Sequence, residues 1–237
     1  MEDLRNPDII LDEETHTYRL LSRPDTEFQS CTEFVGSFFE PFRRGQTARK
    51  LVKMQKYADR TVGSFLAEWR RRKEEGIAIH QEIERSLSAK VQPRLRRAKL
   101  ALTWLEEHLP PFKYDYLPEL IVFSAELGLA GTIDLLARNR DDESDVVVVD
   151  WKATKKIDRS PHQGKRGIRG PARQRGDCRY VKYGIQLSLY SYLLKVSLGV
   201  RPRSQVIAHL KHGGVDPILC DYDEDTVRAL LEYDDLI

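Results

Sequence analysis

The spacing of hydrophobic residues along the chain predicts two long helices followed by a group of strands. Hydrophobic positions recur every three or four residues from about 62 to 87 and from about 95 to 109, where Pro110 and Pro111 end the second helix. Runs rich in valine, leucine and isoleucine predict strands at 117–123, 129–138 and 146–153. Beyond them the pattern predicts a helix at 183–198, strands at 204–210 and 218–222, and a final helix at 223–233.

The N-terminal region predicts smaller elements. Residues 9–11 and 17–21 flank a polar turn and predict a hairpin, and Ser30 or Thr32 caps a short helix that runs to Phe39. Helices that precede, interrupt and follow a mixed sheet indicate an α/β or α+β fold. We expect a single domain, residues 1–237, with an N-terminal extension (1–60), a core (62–198) that carries a loop insertion (153–182), and C-terminal strands and helix (199–237).

Composition narrows the class of protein. The chain is 41% hydrophobic and 32% charged, as globular proteins are, and its longest uncharged stretch is shorter than the ~20 apolar residues of a membrane helix. The acidic first fourteen residues are unlike a secretory or import leader, which favours a cytoplasmic protein, including one in the nucleoid or in the cytoplasm of a virus-infected host. Cys31, Cys178 and Cys220 are too few and too scattered for a disulfide framework, a zinc ribbon or an iron–sulfur cluster.

The net charge of +2 hides a strongly basic segment. Residues 152–182 hold eleven lysines or arginines and two aspartates, a net charge of +9, with enough proline and glycine to predict a long mobile loop. Such a loop could bind phosphates, serve as a solvated linker, or direct localisation or the binding of an acidic partner. The acidic stretch after residue 215 is expected to face away from any phosphate backbone.

Two aspartates on neighbouring strands stand out chemically. Asp150 and Lys152 project from one face at the end of a strand of four valines, and Asp134 lies within the preceding apolar strand. Asp-x-Lys alone fits a salt bridge at a strand end. Two carboxylates on adjacent strands, however, repel each other unless a cation lies between them, and oxygen ligands suit Mg²⁺ or Mn²⁺.

Two helices add further candidates. His80 shares a stripe with Gly76, Ile83 and Leu87, which directs its imidazole towards the core as a third metal ligand or as a hydrogen-bonded core histidine. Gly76 is expected to let this helix approach the sheet closely. On the helix after the basic loop, Gln186 and a tyrosine four residues later share a face. An amphipathic helix has such polar residues in any case, so this pair alone does not indicate a site.

Taken in order, Gly76-x-x-x-His80, Gly131-Thr-Ile-Asp134, Asp150-Trp-Lys152 and Gln186-x-x-x-Tyr190 resemble the motifs of the PD-(D/E)XK nuclease superfamily. The set is similar to the RecB-like branch without an iron–sulfur cluster, which includes mitochondrial genome maintenance exonucleases and phage relatives. The resemblance covers about half of the chain. It implies a restriction-endonuclease-like fold with a central mixed sheet flanked by helices.

The resemblance also implies roles for single residues. His80, Asp134, Asp150 and the main-chain carbonyl of Trp151 match the ligands of Mg²⁺ or Mn²⁺, and Lys152 matches the catalytic lysine beside the two catalytic aspartates. Gln186 and Tyr190 match a motif that supports the site and contacts nucleic acid, and Glu119, at the start of its strand, is a further supporting acid. From the basic loop we expect contacts to single-stranded DNA by Lys155, Lys156, Arg166, Arg169, Arg173 and Arg175.

We therefore predict a metal-dependent deoxyribonuclease that leaves 5′-phosphates, most simply an exonuclease acting on single strands or free ends in repair, recombination or replication. A replication or recombination protein is a candidate partner, and no membrane contact is expected. A structure-specific or restriction-like endonuclease, a nucleic-acid-binding module without turnover, and a structural protein with coincidental salt bridges remain as alternatives.

Overall fold

The computed structural model describes residues 4–12, 14–15 and 17–237 of the chain. The helices are α1 (Cys31–Ser37), α2 (Arg44–Leu51), α3 (Val62–Ala89), α4 (Arg96–His108), α5 (Arg179–Leu198) and α6 (Glu224–Tyr233). The strands are β1 (Ile9–Asp12), β2 (Thr17–Leu20), β3 (Gln29–Ser30), β4 (Tyr114–Ser124), β5 (Leu129–Asn139), β6 (Val146–Lys152), β7 (Ser204–Leu210) and β8 (Val215–Cys220). Short 3-10 helices occur at Gln55–Tyr57, His162–Gly164 and Gly170–Gln174.

The central sheet has six strands, and β5 organises it. β4 runs antiparallel to β5 along its whole length. On the opposite side of β5, β3 pairs in parallel with residues 129–130, and β6 pairs antiparallel with residues 135–138. Among the described strands, none pairs with residues 131–134 on that side, so the sheet contains a fork between β5 and β6.

The sheet continues from β6 to β7 in parallel and from β7 to β8 antiparallel, which makes β8 an edge strand. The parallel β6–β7 pair requires a long crossover, and the basic loop and α5 provide it. The predicted mixed sheet between helices, an α/β fold, is confirmed. The division of the chain into a core and extensions stays a prediction.

Helices cover both faces of this sheet. On one face α1, α5 and α6 bury side chains such as Phe34, Leu193 and Leu230 against it. On the other face α3 and α4 contribute Ile79 and Leu105. The hairpin of β1 and β2 packs separately, against Ala130 of β5 and its surroundings. The two helical layers bury β5 and β6 between them, so both strands at the fork are packed on each face.

The predicted helices and strands agree with the structure, with small shifts at their ends. The N-terminal hairpin forms as expected, although Glu13 and His16 of its turn lie outside the described residues. α1 is capped by Ser30, whose side chain accepts a hydrogen bond from the Glu33 amide. α2 was not predicted because Ala48 is its only buried residue, and so it has no hydrophobic periodicity. In the part of the chain that is described, no helix is both long and apolar enough to span a membrane.

Candidate active site

The candidate site lies in the fork between β5 and β6. Leu135 and Val149 form the last pair of the β5–β6 ladder on this side, so the next residues in register are Asp134 and Asp150. Here the two strands separate, and the Trp151 amide donates a 2.7 Å hydrogen bond to Oδ2 of Asp134 instead of to a main-chain carbonyl. The two predicted carboxylates are therefore cross-strand neighbours at a break in the sheet.

Asp150 and Lys152 form a buried ion pair. Nζ of Lys152 lies 2.6 Å from both carboxylate oxygens of Asp150, and the contact with Oδ1 has hydrogen-bond geometry. Burial raises the pKa of Asp150 to about 6, with a further contribution from the Asp134 carboxylate, although the ammonium of Lys152 acts in the opposite direction. Burial lowers the pKa of Lys152, but both carboxylates outweigh it and the net shift is upward, so this side chain is a cation at neutral pH.

His80 reaches the same carboxylates from α3. Its Nδ1 lies 3.5 Å from Oδ2 of Asp134. Burial lowers the pKa of the imidazole, but Asp134 outweighs burial and the net shift is upward. Burial likewise raises the pKa of Asp134, whereas His80, Lys152 and the Trp151 amide stabilise the carboxylate and lower the pKa overall. The imidazole and the carboxylate thus stabilise each other's charged forms.

The expected role of Gly76 was wrong. Nothing lies within 4 Å of the position that a Cβ on Gly76 would occupy, so this glycine does not permit close packing of α3 on the sheet. The packing surface of α3 is provided by Ile79 and Ile83, which are fully buried. Open space therefore remains beside α3, one turn before His80.

Gln186 and Tyr190 support the fork from α5. Nε2 of Gln186 donates a 2.7 Å hydrogen bond to the Tyr190 hydroxyl. The Tyr190 ring lies so close to Gly131 that a Cβ on this glycine would overlap it and would lie 3.0 Å from Sγ of Cys31. Burial raises the pKa of Tyr190 well above its ordinary value, which keeps the phenol neutral. This pair braces β5 three residues before Asp134.

Glu119 lies elsewhere in its strand than expected. It occupies the middle of β4, not its start, and its register position is opposite Asp134. The hydrogen-bonded ladder passes from Pro118 to Leu120 and omits Glu119, which has a left-handed φ of 49°. Its carboxylate contributes to the raised pKa of Tyr18, after the larger effect of burial. Glu119 is thus near Asp134 along the ladder, at a local kink of β4.

The basic loop is ordered and packs against the acidic C-terminal helix, contrary to the expectation of a mobile loop with that acidic stretch turned away. Nη2 of Arg169 lies 2.7 and 2.5 Å from the two carboxylate oxygens of Asp234, and Arg175 lies 2.7 Å from Asp223. Ala172 within the loop is completely buried. These ion pairs join residues far apart in sequence, and they fix the loop on α6.

The remaining predicted contact residues of the loop are mostly exposed. Lys156 pairs with Asp158 at 2.7 Å. Arg166 and Arg173 donate hydrogen bonds to main-chain carbonyls of the loop itself, at 3.2 Å in each case. Lys155 is exposed three residues after the end of β6. Of the six predicted residues, Arg169, Arg175 and Lys156 are thus held in ion pairs, whereas Lys155, Arg166 and Arg173 make no ion pair with a described residue.

Two residues near the site were not assigned to it from the sequence. The Tyr183 ring lies 4.9 Å from Nζ of Lys152. Tyr183 precedes Gln186 by three residues and Tyr190 by seven, so it shares their face of α5, and this spacing could have identified it from the sequence. Arg97 of α4 is buried, donates a 2.9 Å hydrogen bond to the Ala153 carbonyl just after β6, and pairs with Glu75 of α3. No sequence signal indicates that contact.

The donor set suits a divalent metal ion in chemical type. The two carboxylates are the hard oxygen ligands that Mg²⁺ and Mn²⁺ prefer, and the imidazole favours Mn²⁺. Among the described residues, Oδ2 of Asp150 is buried without a hydrogen-bond partner, although Nζ of Lys152 lies 2.6 Å away. Within the described residues, however, no three such side chains converge as a finished cluster. Asp150 faces Lys152, whereas Asp134 faces His80 and the Trp151 amide. A metal would have to compete with these internal contacts.

Comparisons with known proteins match the chain to one sequence family. A sequence model described as the PD-(D/E)XK nuclease superfamily matches residues 16–233. The crystal structure of SSO0001 is similar at 12% identity and a TM-score of 0.39, over 87% of this chain and 74% of that one. A candidate exonuclease from Eubacterium rectale is similar at 12% identity and a TM-score of 0.38, over 88% of this chain and 77% of that one. No curated protein sequence matches.

Proposed function

The chain belongs to the PD-(D/E)XK nuclease superfamily, whose members typically use divalent metals, and from this premise we propose that it is a Mg²⁺- or Mn²⁺-dependent deoxyribonuclease. The proposed reaction hydrolyses phosphodiester bonds at free ends of DNA, with a preference for single strands, and leaves 5′-phosphates. The observation that carries this proposal is the fork itself, where Asp134 and Asp150 are cross-strand neighbours and Lys152 contacts Asp150. We further propose a role in DNA repair, recombination or replication.

His80, Asp134, Asp150 and the Trp151 carbonyl would hold the metal. Once bound, a divalent ion polarises the phosphate and lowers the pKa of a bound water. When Asp150 binds the metal, its contact with Lys152 would weaken. The Lys152 ammonium could then face the phosphate.

Lys152 would act as a fixed positive charge. Without metal, Asp150 and Asp134 outweigh burial and raise its pKa, so Lys152 carries a positive charge that suits charge stabilisation at the phosphate. The Tyr183 ring 4.9 Å away limits where the ammonium can move. Its place at the end of a buried strand keeps the charge close to the fork, where negative charge develops during hydrolysis.

Gln186, Tyr190 and Glu119 would support this site without entering the reaction. The Gln186–Tyr190 hydrogen bond lies within α5 and fixes the Tyr190 ring, which packs against Gly131 of β5. Gln186 is half-buried, which leaves part of it accessible to nucleic acid. In the basic loop, Lys155, Lys156, Arg166 and Arg173 remain proposed phosphate contacts. For Arg169 and Arg175 such contacts would require release from α6.

The test compares the wild-type protein with Lys152→Ala and, as a matched control, Lys211→Ala, which removes a lysine from a pair with Asp216 in the β7–β8 hairpin. Labelled linear single-stranded, linear duplex and circular DNA are incubated with Mn²⁺, with Mg²⁺ or with EDTA. We expect metal-dependent loss of linear DNA only, a rate reduced by about 10²- to 10³-fold in Lys152→Ala, and no change in the control.

Other results would change the assignment. Cleavage of circular DNA would identify an endonuclease, the second candidate from the same fold. DNA binding without cleavage in any metal would contradict the proposal and favour a binding module. Equal activity of Lys152→Ala and the wild type would place the reaction outside the fork.

A further inference from the structure

A second segment of the chain is as basic as the loop before α5. Residues 43–73, which include α2 and the first half of α3, hold eleven lysines or arginines and two acids, a net charge of +9. In the described part of the chain, the ion pairs of this segment are those of Arg60 and Arg72, and both use Glu68. Lys50, Lys53, Arg70 and Lys73 are exposed and have no ion-pair partner there. Most of its positive charge therefore faces solvent.

The basic loop differs in this respect, because acids neutralise much of its charge. Its ion pairs are Lys152–Asp150, Lys156–Asp158, Lys165–Glu40, Arg169–Asp234, Arg175–Asp223 and Lys182–Asp177. Two segments of equal formal charge thus present very different surfaces. A phosphate backbone would meet more uncompensated positive charge on residues 43–73.

Aromatic side chains lie within this second segment and directly before it, at Phe42. Phe42 is 64% exposed, and its ring centroid lies 5.2 Å from that of Trp69. Trp69 contacts Phe65 at 5.8 Å, and Phe65 contacts Tyr57 at 5.2 Å. This chain of rings fixes the segment before α2 onto α3 and leaves Phe42 at the outer end. An exposed ring among basic side chains offers a base a surface on which to stack.

One face of α3 connects these rings with the candidate active site. Trp69, Lys73, Gly76 and His80 follow one another at intervals of four, three and four residues, and so they share one face of the helix. We call these four residues the α3 stripe. Its ends are about 16 Å apart at 1.5 Å per residue. The space beside Gly76 is open, so nothing in the described protein blocks the stripe at that point.

We propose that residues 42–73 form a docking surface for single-stranded DNA, and that the α3 stripe leads the docked strand to the fork. Single-stranded DNA fits because it offers unpaired bases for Phe42 and phosphates for the unpaired lysines and arginines. A duplex would use the charge alone, since its bases are stacked on one another. The direction of travel rests on the proposed nuclease function, whereas binding to this surface does not.

The test measures DNA binding by the full chain in EDTA, where no cleavage can interfere. Fluorescence anisotropy of labelled oligo(dT) is recorded over a series of salt concentrations. The test variant replaces Lys50, Lys53, Arg70 and Lys73 by glutamine. The control replaces Lys90, Arg94, Arg96 and Lys99, which are exposed around the start of α4, and so it loses the same charge. A second pair compares Phe42→Ala with Phe112→Ala, whose ring is 82% exposed.

We expect the test variant to bind at least about tenfold more weakly at moderate salt. Its plot of log affinity against log salt should be shallower by up to about 3, since each lost phosphate contact on a single strand accounts for about 0.7 of the slope. Phe42→Ala should weaken binding of oligo(dT) but not of duplex DNA. The α4 and Phe112 controls should match the wild type.

Equal losses in the test variant and the α4 control would overturn the proposal, because they would show a non-specific charge effect. An unchanged salt slope in the test variant, with a reduced slope when Arg166, Arg169, Arg173 and Arg175 are replaced, would assign binding to the basic loop instead. Failure of the nuclease function would look different: oligo(dT) would bind as described here, but no metal would support its cleavage.

Discussion

The contact between β5 and α5 can be tested by adding a single methyl group. Gly131 lies three residues before Asp134, and a Cβ placed on it would overlap Cε1 of Tyr190 and lie 3.0 and 3.2 Å from Sγ and Cβ of Cys31. Neither neighbour can move aside easily. Tyr190 is 4% exposed and Cys31 is completely buried, and the Tyr190 hydroxyl is held by Gln186.

The size of the effect follows from this geometry. Overpacking a tight core by one methyl group destabilises by about 1–3 kcal/mol. For a chain of this length, each kcal/mol lowers Tm by about 2–4 °C, so Gly131→Ala should melt about 2–12 °C below the wild type. The strain falls on the strand that carries Asp134, so any nuclease activity should decrease as well.

The measurement combines thermal and urea unfolding of five proteins: the wild type, Gly131→Ala, Gly76→Ala, Tyr190→Leu and the variant with both Tyr190→Leu and Gly131→Ala. Gly76→Ala is the matched control, because it makes the same change in a helix where nothing lies within 4 Å of the new methyl group. It should gain up to about 1 kcal/mol, since alanine is the better helix former. In a Tyr190→Leu background the Gly131→Ala change should cost less, with a coupling energy of about 1 kcal/mol or more. A Gly131→Ala protein as stable as the wild type would refute the argument.

Two further predictions concern metal binding and the loss of stability at acidic pH. Mn²⁺ at about 100 times its dissociation constant should stabilise the wild type by about 2.7 kcal/mol, measured in a thermal shift assay. The same concentration should leave the stability of Asp134→Ala unchanged. No shift in the wild type would contradict the metal site. Burial raises the pKa of Asp145, but hydrogen bonds from Asn139 and Tyr114 and the charge of Arg203 lower it below 3.8 overall. The carboxylate therefore stabilises the fold above about pH 4, and this contribution is lost as the pH falls through the folded pKa. Below about pH 4, the free energy of unfolding of Asp145→Asn, measured with urea, should depend less on pH than that of the wild type. An equally steep loss of stability in both proteins would argue against this role of Asp145.

The sequence allowed the neighbouring carboxylates to be anticipated because they lie in regular strands, whereas the break in the sheet beside them was not predicted. The alternation of strand residues places Asp150 and Lys152 on one face, and adjacency of the two strands places Asp134 beside them. The helical stripe directs His80 to the same side. These are local patterns with fixed periods, so they can be recognised without knowledge of the fold.

Long-range contacts and local distortions could not be anticipated in that way. Arg169 and Asp234 are 65 positions apart, and neither has a local pattern that indicates the other. The left-handed backbone at Glu119 is carried by a residue type that gives no turn signal. The role expected of Gly76 failed because a small residue on an inward stripe suggests close packing, whereas here it leaves open space.

The outermost strand of the sheet also affects how the protein behaves at high concentration. In the β7–β8 hairpin the Lys211 amide bonds to the Gly214 carbonyl, so by alternation of pairs the Ala208–Pro217 position is not hydrogen-bonded and the proline nitrogen faces outward. At that point, β8 has no N–H that could donate a hydrogen bond to a carbonyl of a strand from another molecule. Pro217 thus protects the edge beside the exposed Leu219 against sheet-to-sheet aggregation, a protection that a valine in its place would remove.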